Sequence, residues 1–226
     1  MKKVRLISIS IFVLSSLSLA PQVSAGLMLG NYSSGVEAPS IWGDFTMTRF
    51  DLITDTSPTN NVNSPLGGSL SFQREDGSDL FLNQGTADKT KWWNSYDDYN
   101  IYTTHEHWIT MLLPENTYAL SFNVGANWSA SGWLKAAAHD GSVINHTDFN
   151  SFGNGPAPGF AVYSSSGSCS AIKSVTVDPY YFVWGVGNLS ISQDSCPSTV
   201  PEPSIIALFA AGLFGIGFVR RKMVSS

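Results

Sequence analysis

An all-β fold, an antiparallel β-sandwich or jelly roll in a single domain, is what the sequence predicts between two terminal segments of a different kind. Three observations carry that prediction. Apolar residues alternate with polar ones in short runs, the runs are separated by clusters of Gly, Pro, Asn, Asp and Ser, and helical periodicity is almost absent.

The first segment, Met1-Lys2-Lys3-Val4-Arg5, is positively charged, and residues 6–20 follow as an uncharged, mostly apolar run. After it, Pro21-Gln22-Val23-Ser24-Ala25 offers small residues at a cleavage site. That layout predicts a signal peptide over residues 1–25 and a mature chain starting at Gly26. No cysteine lies near the cut, which argues against a lipoprotein.

The body, residues 26–199, is long enough for one domain with a proper core and short for two. Its clearest strand is 117–124, where Tyr118, Leu120, Phe122 and Val124 share one face, with Ala119, Ser121 and Asn123 on the other. Further strands are expected at 45–53, 69–73, 80–83, 107–113, 132–138, 159–163, 171–177 and 183–192. Asp140-Gly141 and Asp76-Gly77 carry the chemistry of two-residue hairpin turns. Asp178-Pro179 is a third turn, and residues 54–68 and 150–158 read as surface loops.

At the other end, residues 205–219 are uncharged and apolar, and Arg220, Arg221 and Lys222 follow at once. As a helix this run spans about 22 Å, short of the roughly 30 Å hydrocarbon layer, so flanking residues or local thinning must make up the difference. The abrupt basic cluster favours a transmembrane stop with its basic end in the cytoplasm over a buried helix. Immediately before stands Val200-Pro201-Glu202-Pro203-Ser204, whose prolines keep it extended and accessible beside the membrane.

Pro-Glu-Pro, a short apolar helix (204–219) and an Arg cluster, in that order, resemble the PEP-CTERM sorting signal over residues 200–222. The resemblance implies that Pro201, Glu202 and Pro203 are recognised by a membrane-embedded exosortase of a Gram-negative, exopolysaccharide-making bacterium. It makes Arg220, Arg221 and Lys222 the cytoplasmic stop. The implied location is outside the cytoplasm, tethered to the inner membrane through the helix and then released to the cell surface or extracellular matrix. The same tail is sometimes labelled an ice-binding protein C-terminal domain, a label that does not itself imply ice binding; no regular Thr or Asn repeat is found.

Between the two terminal segments the body holds six Lys and Arg against 16 Asp and Glu, a net charge of about −10. Nucleic acid and anionic lipid are poor partners for such a surface. Both cysteines, Cys169 and Cys196, fall in the exported body, where an intrachain disulfide is the natural expectation.

Candidate chemistry is sparse. Trp92-Trp93-Asn94-Ser95-Tyr96-Asp97-Asp98-Tyr99-Asn100-Ile101-Tyr102 is the densest aromatic run, and it mixes flat rings with hydrogen-bonding groups. Sugars present apolar C–H faces between hydroxyls, so Trp92, Trp93, Tyr96 and Tyr99 are the candidate glycan-binding residues, with sandwich core as the competing reading. His105 and His107 sit on one strand face without a recognisable third metal ligand. Asp76, Asp79, Asp97 and Asp98 could ligate a structural calcium, although no known loop spacing is matched, and no other cofactor is implied. No nucleophile or metalloprotease motif occurs, and a glycosidase pair drawn from Asp97, Asp98, Glu106 and Glu115 would need a spatial separation that sequence does not give. The expectation is therefore a non-enzymatic exported protein associated with exopolysaccharide, with a specific carbohydrate-binding module as the alternative and a polysaccharide-degrading enzyme behind it.

Overall fold

The computed structural model describes residues 26–33, 36–86, 100–126, 130–151, 157–165, 168–180 and 183–194. Within them the chain is all-β. Its strands are β1 (Leu27–Tyr32), β2 (Ile41–Trp42), β3 (Phe45–Thr46), β4 (Thr48–Arg49), β5 (Asn61–Asn63), β6 (Ser69–Gln73), β7 (Asn83–Thr86), β8 (Asn100–Thr104), β9 (Ile109–Leu112), β10 (Ala119–Ala126), β11 (Ala130–Ala138), β12 (Val143–Ser151), β13 (Gly159–Ser164), β14 (Ile172–Asp178) and β15 (Trp184–Ser192). One sheet runs β1-β13-β10-β15-β8-β7 with β4 added beside β15, a second runs β12-β11-β14-β9-β6-β5, and β2 pairs with β3. Neighbouring strands pair antiparallel, as in β10 with β13 and β11 with β14.

Alternation decides which residues meet between the sheets. Leu120, Phe122 and Val124 of β10, with Trp184, Val186 and Ile191 of β15, come from the first sheet; Leu70 and Phe72 of β6, Met111 of β9, Leu134 of β11 and Val175 and Val177 of β14 come from the second. All belong to one apolar cluster, whose burial is the main stabilising term. Tyr118 departs from the expected core face: it precedes β10, and its ring stacks on Phe45 at 6.0 Å and 7°.

The outer face of β10 explains why a sheet can carry Ala119, Ser121 and Asn123 fully out of water. These small residues leave room for the β2–β4 segment, which lays Trp42 against Tyr163 and closes on β15 through the Phe50 N–H to Leu189 O bond. A bulge in the pairing of β10 with β15 puts Asn188 at φ 51°, where its amide bonds Asn123 and accepts from Arg49.

The two Asp-Gly turns fall where the sequence puts them but are wider than expected. In 139–141 and 75–77 three residues turn the chain, only the glycines take positive φ (89° and 81°), and each Asp carboxylate accepts the N–H two residues on. That is a type I turn closed by a left-handed glycine rather than a two-residue hairpin. Expected strand 45–53 is split into β3 and β4, whereas β5 lies in a stretch read as loop and β12 extends into the start of another.

Antiparallel pairing also gives the body two unlike ends. At one, Gly26 O accepts the Ser165 N–H, Tyr118 N–H bonds Ser192 O, and Gln193 Nε2 bonds Glu115 O. Residue 194, the last described, therefore leaves from the end at which Gly26, the first described residue, lies. Strand β9 carries the chain from the opposite end, where residues 105–108, 74–79 and 179–180 lie, to this one.

Candidate functional site

Most of the residues singled out by sequence lie outside the described residues: Trp92, Trp93, Tyr96, Tyr99, Asp97 and Asp98, the sorting residues Pro201, Glu202 and Pro203, the basic stop Arg220, Arg221 and Lys222, and Cys196. Segment 87–99 joins β7 to β8, which pair from Asn83↔Thr103 to Thr86↔Asn100. Cys169 is exposed at φ 52° and its sulfur is engaged rather than a thiol. The apolar run 205–219 also lies outside; among the described residues no helix is long and apolar enough to cross a membrane.

His105-Glu106-His107 is described, and it forms a bend between β8 and β9 rather than a strand. Only Glu106 and His107 of the three line a neighbouring cleft. Among the described residues, no group of three or more His, Cys, Asp or Glu side chains comes together in a way that could hold a metal ion. Asp76 instead caps its own turn, and Asp79 offers its backbone carbonyl to Arg74. Glu106 and Glu115 stand at opposite ends of β9, so these two do not converge as a glycosidase pair.

What the fold brings together is a different set. Core residues Ile109 and Met111 face inward, so Trp108 faces out; Leu134 and Ala136 face inward, so Trp133 does too. Register places Trp133 beside Asp148 of β12 on one side and Asp178 of β14 on the other, while Val177 pairs with Ile109. Asp148, Trp133, Asp178 and Trp108 thus form one rank across four adjacent strands. The two indoles reach over the intervening strand to meet edge-on, with ring centroids 5.9 Å apart at 62°. Gly132 makes the close approach possible, because a Cβ there would collide with the backbone of Asp178 and Pro179.

A cleft of about 560 Å³ adjoins the rank, lined by Arg74, Glu75, Asp76, Glu106, His107 and Trp108. Its bend is fixed from below by the buried Trp184, whose indole N–H donates to Glu106 O at 2.7 Å, and from within by the Glu106 N–H to Thr104 Oγ1 bond. Arg74 Nε meets Glu106 Oε1 at 3.1 Å. Both side chains are about half exposed, so the pair orients the groups more than it stabilises the fold.

Asp178 is the buried member of the rank, 4% exposed. Burial holds its carboxyl above the ordinary range, against the Tyr180 N–H, nearby His107 and the Trp133 side chain, which all favour the charged form. Together the groups supply two half-buried indoles for apolar C–H faces and a set of charged donors and acceptors for hydroxyls.

Sequence reasoning passed over Trp108 and Trp133 because a single Trp in a strand reads as core. The signal was present nonetheless: each alternates with an aliphatic residue that has the better claim to the interior.

Residues 199–222 match the family model of the PEP-CTERM protein-sorting motif. No curated protein and no solved structure matches the chain. The motif marks an exported protein that an exosortase sorts, with a membrane-anchored C-terminal tail.

Proposed function

We propose that this exported protein, sorted by an exosortase through its PEP-CTERM motif, is a non-enzymatic envelope or matrix component whose two-sheet body, read as a β-sandwich, associates with exopolysaccharide. The observation that supports the reading best is the Trp108–Trp133 pair above a buried carboxylate, beside a cleft that mixes Arg, His and acidic side chains. An anchored tail that is later cut would release the body to the cell surface or matrix. The aromatic run at Trp92 and Trp93 belongs to the same reading as a second contact region.

Co-sedimentation of the full chain with its own host's exopolysaccharide tests this, with polymer length measured before and after. Binding to an intact polymer is expected. A shortened polymer would replace the reading with a degrading enzyme, and absence of binding would remove the polysaccharide altogether.

A further inference from the structure

The geometry points to an extended glycan lying across the strands of the second sheet, along the rank Asp148–Trp133–Asp178–Trp108, at the end of the body that faces away from the membrane. This deepens the polysaccharide reading and rests on it. Three observations carry it.

The rank is bounded by a cleft on each side. Asp148 lines one of about 770 Å³, shared with Tyr32, Thr147 and Asn150, and Trp108 lines the 560 Å³ cleft of Arg74 and Glu106. Between them run β12, β11, β14 and β9, three strand spacings or about 14 Å. A single sugar would occupy one indole, but a path of this length, open at both ends, suits a polymer that passes through without needing a chain terminus.

The composition of the path also selects its ligand. The two indoles, meeting edge-on over the buried Asp178, form one apolar platform in the middle of the path, with the exposed Asp148 at one end and Arg74, Glu106 and His107 at the other. A glycan, apolar on its ring faces and hydroxylated on its edges, matches that alternation. A purely apolar ligand would strip water from the exposed Asp148 at one end of the path and from Arg74 and Glu106 at the other, and the net acidic body disfavours a strongly anionic polymer. A neutral or weakly charged polysaccharide is the class that fits.

Position supplies the third argument. The chain enters at Gly26 and leaves after Asp194 at one end of the sheets, so the anchored tail holds that end toward the membrane. Trp108, Trp133 and Asp178 sit at the opposite end of β9, β11 and β14, where a polymer outside the cell can reach them.

Binding of the full chain to host exopolysaccharide, and to oligosaccharides of two to eight units cut from it, tests the proposal alongside Trp108→Ala and Trp133→Ala. Affinity should rise with length to about four units and then level off, since one unit advances roughly one strand spacing. Each truncation should weaken binding about tenfold or more. Trp108→Phe, which keeps a ring, should fall between, and circular dichroism with a melting curve confirms that each variant folds. If folded alanine variants bind the polymer as the parent does, the rank is not the contact surface and the proposal fails while the polysaccharide reading stands. If the parent itself binds no polymer, the reading fails and takes this proposal with it.

Discussion

The indole N–H of Trp184, wholly buried on β15, donates to the carbonyl oxygen of Glu106 at 2.7 Å, and so ties the centre of the core to the bend that shapes the exposed cleft. Trp184→Phe keeps most of the apolar surface but orphans that carbonyl. It should cost about 1–3 kcal/mol in a denaturant titration and raise hydrogen exchange in residues 105–108 beyond what the global loss explains. Unchanged exchange in the bend would show that the bond does not hold it.

Tyr102 tests the opposite case. Its hydroxyl is fully buried against Phe72 without a hydrogen-bond partner, and burial pushes its ionisation up to about 12. Tyr102→Phe removes an uncompensated polar atom and should leave stability equal or raise it by about 1–3 kcal/mol. A clear loss in the melting midpoint would mean that the hydroxyl is satisfied in solution.

Asp178 sets a pH dependence whose sign follows from its burial. Its carboxyl titrates higher folded than unfolded, so the native state holds the proton more tightly. This group's contribution is therefore fully present below the ordinary carboxylate value of about 4 and is lost as pH rises through the raised one. Relative to the parent, Asp178→Asn should gain stability between pH 4 and pH 7 in denaturant titrations. A difference between the two that does not vary with pH would contradict the assignment.

The thiols give a fourth expectation. Cys169 is followed 27 positions later by Cys196, the second of two cysteines in the chain, and we propose that they pair. Closure of such a loop stabilises by about 3 kcal/mol. Titration of the unfolded, unreduced exported protein should find no thiol; two would refute the pairing.

How far the fold was legible depended on whether its determinants were local. Strands β10, β11, β14 and β15 carry long alternations or β-branched runs, and their existence could be read directly. Strand β8, Asn100-Ile101-Tyr102-Thr103-Thr104, is held by β15 far along the chain, and β5, Asn61-Val62-Asn63, is a short polar edge strand paired, among the described residues, only with the neighbouring β6. The buried Ser121 and Asn123 were equally illegible in detail, because the groups that hold Asn123, namely Tyr32 of β1, Ala157 and Asn188 of β15, stand far from it in the chain. The site repeats the lesson. Asp178 read as half of an Asp-Pro turn, which it is, and its place between two indoles exists only in the register of β11, β14 and β9.

Hydrogen–deuterium exchange of the full chain with and without its host's exopolysaccharide tests the central claim most directly. The account predicts added protection at residues 105–109, 131–134 and 176–180, with none at 114–117 or 139–142 on the membrane-facing end. Protection confined to that end, or none anywhere at a saturating polymer concentration, would contradict it.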